Sequence, residues 1–244
     1  MSAHDVKLFG DAIAASRLED RFARVKASSL LRLAIEDLYP GRIALVSSFG
    51  ADSAALLHMA SRIDPKTPVV FVDTGRHFPE TLRYRRELCA ALGLVNVIVA
   101  EPEPETLAAE DPEAFLFASD PDRCCEIRKV RPLAKALEGF DAWITGRKGF
   151  QCATRARVPL FEAEGERVKI NPLIGWSATE ILDYVRAAGL PPHPLVAKGY
   201  PSIGCLPCTS PARPGEDPRA GRWRGRGKTE CGIHTAMLNA GQDS

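Results

Sequence analysis

Short apolar runs alternate along the chain with longer segments of mixed polarity. The runs are rich in β-branched or aromatic residues, and they occupy residues 43–46, 69–72, 95–99, 143–145 and 168–170. Runs of this length and composition are typical of buried strands, whereas the segments between them are long enough for helices. We therefore predict an α/β fold with an open, mostly parallel, five-stranded sheet and helices on both faces.

Local signals mark the ends of several predicted helices. Gly93, Gly139 and Gly189 each close a helical segment, a place where the left-handed backbone conformation is common. Ser177 precedes Glu180 by three residues, which is the spacing of a capping box at the start of a helix. A further helical stretch, at about residues 8–38, is expected to pack outside the sheet.

Two segments depart from this alternation. Residues 101–120 carry seven acidic side chains, no basic ones and three prolines, and we interpret them as a solvated loop. Residues 200–228 are rich in Pro, Gly and Arg and show little periodicity, which indicates an irregular arm. We therefore divide the chain into an α/β domain at residues 1–200 and a carboxy-terminal segment at residues 201–244.

Composition and charge narrow the class of protein. The 244 residues are 45% apolar and 26% charged, as is ordinary for a soluble globular protein. Lys and Arg number 32 against 31 acidic residues, so the net charge of +1 provides no general attraction for a nucleic-acid backbone. No signal-peptide pattern occurs at the amino end, and no apolar run reaches the roughly 18 residues that span a bilayer. We expect a cytoplasmic protein without a nucleic-acid or membrane partner.

Three polar loops that contain glycine follow predicted strands. The first runs from Ser47 to Ser53 and leads into an apolar helix, the second begins at Asp73, and the third begins at Gly146. Because ligands bind outside the carboxyl ends of parallel strands, we expect these loops at one edge of the sheet. Backbone N–H groups at the start of a helix favour phosphate, although a plain helix cap by Asp52 or Ser53 explains the first loop equally well. Binding of a ligand that has a phosphate and an apolar ring would explain why all three loops are polar and contain glycine.

The seven cysteines favour metal binding or catalysis over disulfides, because the expected compartment is reducing. Cys124 and Cys125 are adjacent, and Cys205 and Cys208 form a CxxC pair. Four thiolates can hold an iron–sulfur cluster or close a zinc site. An adjacent pair suits a cluster with several irons better than one small zinc ion, and a chain without metal is the third alternative.

Cys231 lies near the carboxyl end, directly behind a basic stretch. Residues 213–228 contain six basic and two acidic side chains. Cations near a thiol stabilise its thiolate, which makes the sulfur a nucleophile at neutral pH, and they would also attract an anionic substrate. The alternative is a solvated basic tail whose cysteine takes no part in chemistry.

Five segments together resemble the assimilatory adenylylsulfate reductases, which share the adenine-nucleotide α-hydrolase-like fold with the phosphoadenylylsulfate reductases. These segments are residues 48–53, 73–81, 124–129, 203–208 and 228–234. The first is shared with many ATP pyrophosphatases, whereas the two cysteine pairs and the sequence Glu-Cys-Gly-Ile-His at 230–234 are highly specific. The resemblance extends from about residue 42 to residue 234.

The resemblance implies an oxidoreductase with a 4Fe-4S cluster on Cys124, Cys125, Cys205 and Cys208, and with Cys231 as its catalytic nucleophile. The thiolate would attack the sulfur of adenylylsulfate, release AMP and leave an S-sulfocysteine, from which thioredoxin would release sulfite in assimilatory sulfate reduction. It also implies a set of substrate-binding residues: Ser47, Ser48, Gly50, Asp52, Ser53, Lys129, Gly146, Arg155, Arg219, Arg222 and His234. Whether the chain forms a homo-oligomer stays open.

The loop after the fourth predicted strand departs from the family pattern. That pattern is Gly, an aliphatic residue, two basic residues, any residue and Gln, of which only Gly146, Lys148 and Gln151 are present. Arg147 stands at the aliphatic position. The stretch from Arg222 to Cys231 is also shorter than is usual in the family.

Three other functions compete with this interpretation. Phosphoadenylylsulfate reductases commonly lack the paired cysteines, so we expect adenylylsulfate as substrate, with phosphoadenylylsulfate or dual specificity as the alternative. An ATP-dependent tRNA sulfur-transfer enzyme can combine a similar loop with a cluster, but it would need a basic RNA-binding face. The third alternative is a non-catalytic sensor that carries a cluster, but this function would not explain the nucleotide loops or Cys231.

Overall fold

The structure, a computed structural model, describes residues 12–152 and 155–234. Its strands form one sheet: β1 (Ile43–Val46), β2 (Val69–Val72), β3 (Val97–Ala100), β4 (Ala142–Thr145), β5 (Phe161–Glu164) and β6 (Arg167–Ile170). Their order across the sheet is β3-β2-β1-β4-β6-β5, and all neighbours are parallel except β5 and β6. The mostly parallel α/β sheet predicted from the sequence is confirmed.

The sheet has one strand more than we predicted. β5 was missed because two of its four residues, Glu162 and Glu164, are acidic and interrupt any apolar run. It forms a tight hairpin with β6 through Gly165, whose φ is 59°. Glu164 is nevertheless buried, because its carboxylate pairs with Lys169 on β6 at 2.6 Å. A charged strand is thus accommodated at the sheet's edge by charge pairing across the hairpin.

Helices connect and cover the strands. The described part of the chain contains α1 (Ala12–Phe22), α2 (Ala27–Arg32), α3 (Ser53–Ile63), α4 (Pro79–Leu92), α5 (Pro104–Glu110), α6 (Leu116–Ser119), α7 (Pro121–Cys125), α8 (Arg131–Ala136) and α9 (Ala178–Ala187). Two π-helical turns, Leu33–Leu38 and Glu126–Val130, extend α2 and join α7 to α8. The predicted helical stretch at residues 8–38 is divided, because Lys26 is extended; residues 8–11 lie outside the described part.

The predicted helix signals are present in the structure. Gly93 caps α4 in the left-handed conformation with φ of 65°. Gly139 and Gly189 also have positive φ, just beyond the ends of α8 and α9. The capping box of α9 is formed, since Ser177 Oγ accepts from the Glu180 N–H at 3.2 Å and Glu180 accepts from the Ser177 N–H at 2.8 Å.

The acidic segment 101–120 is only partly what we predicted. It contains the short helices α5 and α6, and its interpretation as a solvated loop is wrong for Asp111. Asp111 is buried and accepts a hydrogen bond from Arg128 Nη2 at 2.7 Å. The acidic count was misleading because one carboxylate anchors the segment to the helical region that carries the first cysteine pair.

The carboxy-terminal arm has little regular structure, as predicted. Within residues 201–234, its only helical element is the 3-10 turn Leu206–Cys208. An isolated bridge joins Cys205 to His77, which follows β2, and returns the arm to the carboxyl edge of the sheet; a second bridge, between Thr209 and Arg222, lies within the arm. Among the described residues, every helix is too short or too polar to cross a membrane.

Candidate active site

The chain changes its direction across the sheet at β1, which has β2 on one side and β4 on the other. Such a switch point leaves a crevice beyond the carboxyl ends of the strands. A large cavity lies at this position, lined by the loops after β1, β2 and β4 and by the carboxy-terminal arm. The prediction that the three polar loops meet at one edge is therefore confirmed.

The cavity also gathers the site residues that were predicted from the sequence. Its lining includes Cys231 together with Ser47, Ser48, Gly50, Asp52, Ser53, Lys129, Gly146, Arg155, Arg219, Arg222 and His234. These residues come from loops as much as 187 positions apart in sequence (234 − 47), and the fold brings them around one space. Their individual roles stay predictions.

The loop after β1 presents backbone groups rather than side-chain caps at the start of α3. Phe49 is buried with a positive φ of 49°, and its N–H donates to Ser47 Oγ at 3.1 Å. Asp52 makes no side-chain cap of α3. Its carboxylate instead accepts from Gln151 Nε2 at 3.0 Å, so the plain-cap alternative is wrong for Asp52. The first turn of α3 is a candidate site for an anion.

The loop after β4 carries two buried cations. Arg147 forms an ion pair with Glu162 of β5 and donates from Nε to Asn171 Oδ1 at 3.2 Å. Lys148 Nζ donates to the Asp52 carbonyl at 3.2 Å. Burial, together with the charge of Arg155, lowers the pKa of Arg147 to about 10 and that of Lys148 to about 8. Glu162 explains how Arg147 occupies a position that is usually aliphatic in the family.

Glu230 joins two of the predicted substrate-binding arginines. Its Oε1 and Oε2 accept from Arg155 Nε at 2.7 Å and Nη2 at 2.9 Å, and Oε2 also accepts from Arg219 Nη2 at 3.1 Å. Burial raises the pKa of Glu230, but hydrogen bonding and charge from Arg155, with the charge of Arg219, hold it below the ordinary value. Glu230 was part of the motif at residues 230–234, but no role of its own was predicted for it from the sequence.

Arg222 and Lys129 approach Trp223 from the cavity. The Arg222 guanidinium lies 4.5 Å and Lys129 Nζ lies 5.8 Å from the centre of the Trp223 ring. A Cβ atom at Gly204 would overlap the Arg222 guanidinium, so this close approach needs glycine. Burial by itself lowers the pKa of Lys129, but the nearby sulfurs, led by those of Cys205 and Cys231, outweigh burial and raise it.

All four paired cysteines line a second, smaller cavity. Cys124, Cys125 and Cys205 are buried, Cys208 is partly buried, and all are free thiols. Thr74 Oγ1 lies 3.2 Å from Cys205 Sγ. Burial, with the neighbouring Cys125, raises the pKa of Cys124 to about 11. Cys205 and Lys129 line both cavities, which places the cysteine cage beside the predicted substrate cavity.

The donor set of this cysteine cage suits an iron–sulfur cluster. Thiolates are the usual ligands of such clusters, and none of the described residues that line the cage is a carboxylate or an imidazole. Three cations, Arg76, Arg128 and Lys129, line it as well. Asp111 balances one of these charges through Arg128, and the remaining positive charge would offset the negative charge of a thiolate-bound cluster. Within residues 12–152 and 155–234, no group of three or more His, Cys, Asp or Glu side chains is arranged to hold a metal ion.

Two further cysteines lie outside the cage. Cys89 is half-buried in α4 and packs against the main apolar core, and burial raises its pKa. Cys152 contacts the arginine-bound carboxylate, with Sγ 3.6 Å from Glu230 Oε1. Cys89 therefore packs as a small apolar residue of the core.

Comparison with known proteins places the chain among sulfonucleotide reductases. Residues 42–211, more than half of the chain, match the family described as "Phosphoadenosine phosphosulfate reductase domain". An adenosine 5'-phosphosulfate reductase of Chelativorans sp. (strain BNC1) is 52% identical over 93% of this chain and 94% of the relative. One of Mycolicibacterium smegmatis is 42% identical over 91% of this chain and 94% of the relative.

Solved structures share the fold. A phosphoadenylyl-sulfate reductase from Candida auris, solved as a phosphate complex, superposes with a TM-score of 0.68 at 25% identity, covering 80% of this chain and 96% of that chain. A yeast FAD synthetase superposes with a TM-score of 0.53 at 17% identity, covering 86% of this chain and 74% of that one; this likeness concerns the fold alone. The chain therefore belongs to the phosphoadenosine phosphosulfate reductase domain family and, within it, groups with the adenosine 5'-phosphosulfate reductases.

Proposed function

We propose that the protein reduces adenylylsulfate to sulfite and AMP through an S-sulfocysteine at Cys231, with thioredoxin or a similar dithiol as reductant. One observation carries the proposal: Cys231 shares a cavity with the first turn of α3 and with the cations Lys129, Arg219 and Arg222. A nucleophile, an anion-binding helix start and nearby positive charge are the parts that attack on an activated sulfonucleotide requires.

The cavity offers separate surfaces for the two ends of the nucleotide. Leu45, Leu56 and Val72 line it with apolar surface that suits a purine ring. The backbone N–H groups after β1 suit the phosphate, since they lie at the start of an eleven-residue helix. The arginines and Lys129 would then face the sulfonyl end, next to Cys231.

The proposed chemistry has two steps. The Cys231 thiolate attacks the sulfonyl sulfur, a sulfur–sulfur bond forms, and the sulfur–oxygen bond to the phosphate breaks, so that AMP leaves with the electron pair. Cations at the cavity wall stabilise the charge that develops on the leaving phosphate and on the sulfonyl oxygens. An external thiolate then attacks Cys231 Sγ and displaces sulfite, and the second thiol of the reductant resolves the mixed disulfide.

Cys124, Cys125, Cys205 and Cys208 would hold a 4Fe-4S cluster in this protein. Bound there, the cluster supplies structural support and a local electrostatic field for the adjoining cavity. Lys129 lines both cavities and would bind the substrate's anionic end while facing the sulfur ligands.

Phosphoadenylylsulfate is the second candidate substrate. The Candida auris structure, at 25% identity, is named for that substrate, whereas the bacterial relatives at 52% and 42% identity are named for adenosine 5'-phosphosulfate. We favour adenylylsulfate because this chain carries both cysteine pairs. Turnover of the two nucleotides, measured side by side, separates single from dual specificity.

Intact mass analysis tests the proposed function. The protein is purified without oxygen, incubated with adenylylsulfate in the absence of reductant, and digested for peptide mapping. We expect one added sulfonate group on Cys231 and release of one AMP per chain. Cys231→Ser should give no adduct and no sulfite while retaining AMP binding and the iron chromophore, and Cys89→Ser serves as the matched control. An adduct elsewhere, or none on the wild-type protein, contradicts the proposal.

A further inference from the structure

Several of the cations that line the large cavity already face carboxylates. Arg147 pairs with Glu162, and Lys148 Nζ lies 3.8 Å from Asp52 Oδ2. Arg222 differs, because its buried Nε has no hydrogen-bond partner among the described residues. The cavity therefore contains cations that face carboxylates and one, Arg222, whose buried Nε is available to a ligand.

Arg155 and Arg219 share a single carboxylate, that of Glu230. The Glu230 carboxylate accepts two parallel hydrogen bonds from Arg155, of 2.7 and 2.9 Å, and a third from Arg219, of 3.1 Å. This forked geometry is the one that arginine also offers to the oxygens of sulfate and phosphate. Glu230 thus occupies, from within the chain, a place that a tetrahedral oxyanion would fit.

The burial of Glu230, directly before Cys231, affects which anions can bind beside the nucleophile. Glu230 is the residue directly before Cys231, and all the side chains involved are largely buried, with exposed fractions of 11% for Arg155, 12% for Arg219 and 19% for Glu230. A free oxyanion that displaced the carboxylate would leave Glu230 buried without its partners, which is strongly unfavourable. A nucleotide has additional binding surface in the same cavity to offset that cost, whereas inorganic sulfate or phosphate has none.

We propose that Glu230 is a specificity-determining residue. Its carboxylate occupies the anion-binding position between Arg155 and Arg219 and so keeps free inorganic oxyanions away from the nucleophile. This inference rests on the proposed function of the cavity. Glu230 acts before the substrate binds. Its carboxylate holds the two arginines in place and balances one of their two charges. A ligand that is anchored by its nucleoside then replaces the carboxylate. Glu230 does not itself touch the reacting atoms in this role.

The test measures binding of inorganic sulfate to the anaerobically purified, cluster-loaded full chain, with sodium chloride at equal ionic strength as the reference. Isothermal titration compares the wild type with Glu230→Gln, which keeps the shape of the side chain and removes its charge. We expect sulfate to bind Glu230→Gln about tenfold more tightly or better, and to inhibit its sulfite formation at correspondingly lower concentration. AMP affinity is measured on the same samples.

Two variants separate charge from other effects. Glu230→Asp keeps the negative charge and should exclude sulfate nearly as well as the wild type. Glu216→Gln removes a carboxylate that pairs with Arg224 on the same arm but outside the cavity, and it should leave sulfate affinity unchanged. If Glu230→Gln binds AMP normally and sulfate no more tightly than the wild type, the inference is wrong. Equal gains in Glu230→Gln and Glu230→Asp also overturn it, because altered packing would then be the cause.

The proposed function can fail independently of this result. A wild-type protein that binds AMP but forms no sulfite from adenylylsulfate contradicts the proposed reaction, whatever the sulfate titrations show. Conversely, normal sulfite formation with unchanged sulfate affinity in Glu230→Gln overturns only the role of Glu230. If Glu230→Gln does not fold, Glu230→Ala provides the same removal of charge, and the same gain in sulfate affinity is required.

Discussion

The imidazole of His234 lies parallel to the indole of Trp143, with ring centroids 5.9 Å apart and an angle of 4° between the planes. Trp143 is a fully buried residue of β4, and its Nε1 donates to Glu164 Oε2 at 2.6 Å. Ile233 packs against the same apolar cluster. The stack therefore fastens the described end of the arm to the sheet, with Cys231 three residues away.

Removal of the imidazole should loosen the end of the arm. His234→Ala loses a stacked pair of the kind that contributes about 0.5 to 1.5 kcal/mol, so the arm should open more often by up to about tenfold. Hydrogen exchange at residues 229–234 measures this opening directly. His234→Phe keeps a ring in the same place and should exchange like the wild type; rapid exchange in that variant would show that stacking is not what holds the arm.

Closure of the arm should weaken as the pH falls. Burial, with the charges of Arg147, Lys169, Arg155 and Arg219, holds the pKa of His234 well below its ordinary value. An open arm therefore takes up a proton as the pH drops below about 6.5, whereas the closed arm does not until the pH is much lower. Hydrogen exchange from pH 7.5 to pH 5.5 should accelerate in the wild type relative to His234→Phe. Parallel pH profiles for the two proteins would contradict this expectation.

Gly204→Ala should impair substrate binding without unfolding the protein. The new Cβ would overlap the guanidinium of Arg222, which is the mobile end of a long side chain and can move away. If Arg222 binds the sulfonyl end as proposed, its displacement should raise the KM for adenylylsulfate about tenfold or more. Gly175→Ala is the matched control, because nothing lies within 4 Å of its Cβ. Unchanged KM in Gly204→Ala would mean that Arg222 does not contact the substrate.

AMP affinity should fall as the pH rises through about 8. Burial lowers the pKa of Lys148 to about 8, so its ammonium loses a proton in this range and its attraction for a phosphate is lost. A phosphate monoester, with a second pKa near 6, is already ionised throughout pH 7 to 9.5. Titrations over that interval should show the decline in the wild type and a nearly flat profile in Lys148→Met. Lys135→Met, which alters an exposed pair with Glu103, should keep the decline.

The buried pair Lys169–Glu164 should be important for stability as a unit. Glu164→Leu leaves the Lys169 ammonium buried without its partner and should lower the free energy of unfolding by about 3 to 5 kcal/mol. The double variant Glu164→Leu/Lys169→Met removes both charges and should recover part of that loss; the Trp143 Nε1 donor, which loses its acceptor in both variants, accounts for the remainder. Urea unfolding of the cluster-loaded proteins measures both values. A double variant as unstable as the single one would show that the loss comes from packing around Trp143 instead.

Much of the site was accessible from the sequence because its signals are local. The glycine-containing loops follow strands that the apolar runs predicted. The substrate-binding residues and Cys231 carried over from the family pattern line the large cavity, and the four paired cysteines line the smaller one. The hydrogen-bonding and ion-pair partners of those residues could not be predicted from the sequence. Arg155 and Glu230 are 75 positions apart, and Arg128 and Asp111 pair across a segment that composition alone classed as solvent-exposed.

The sequence by itself determined the α/β class, the strands that carry the loops and the two cysteine pairs, since each depends on spacing between near neighbours or on burial of one short run. Only the tertiary structure decided which charges neutralise each other, that an acidic strand pairs at the sheet's edge, and that the arm returns to bring Cys231 beside the cysteine cage. The physical reason is that an ion pair or a cavity wall depends on distances between elements remote in sequence, and these are set by the packing of the whole fold.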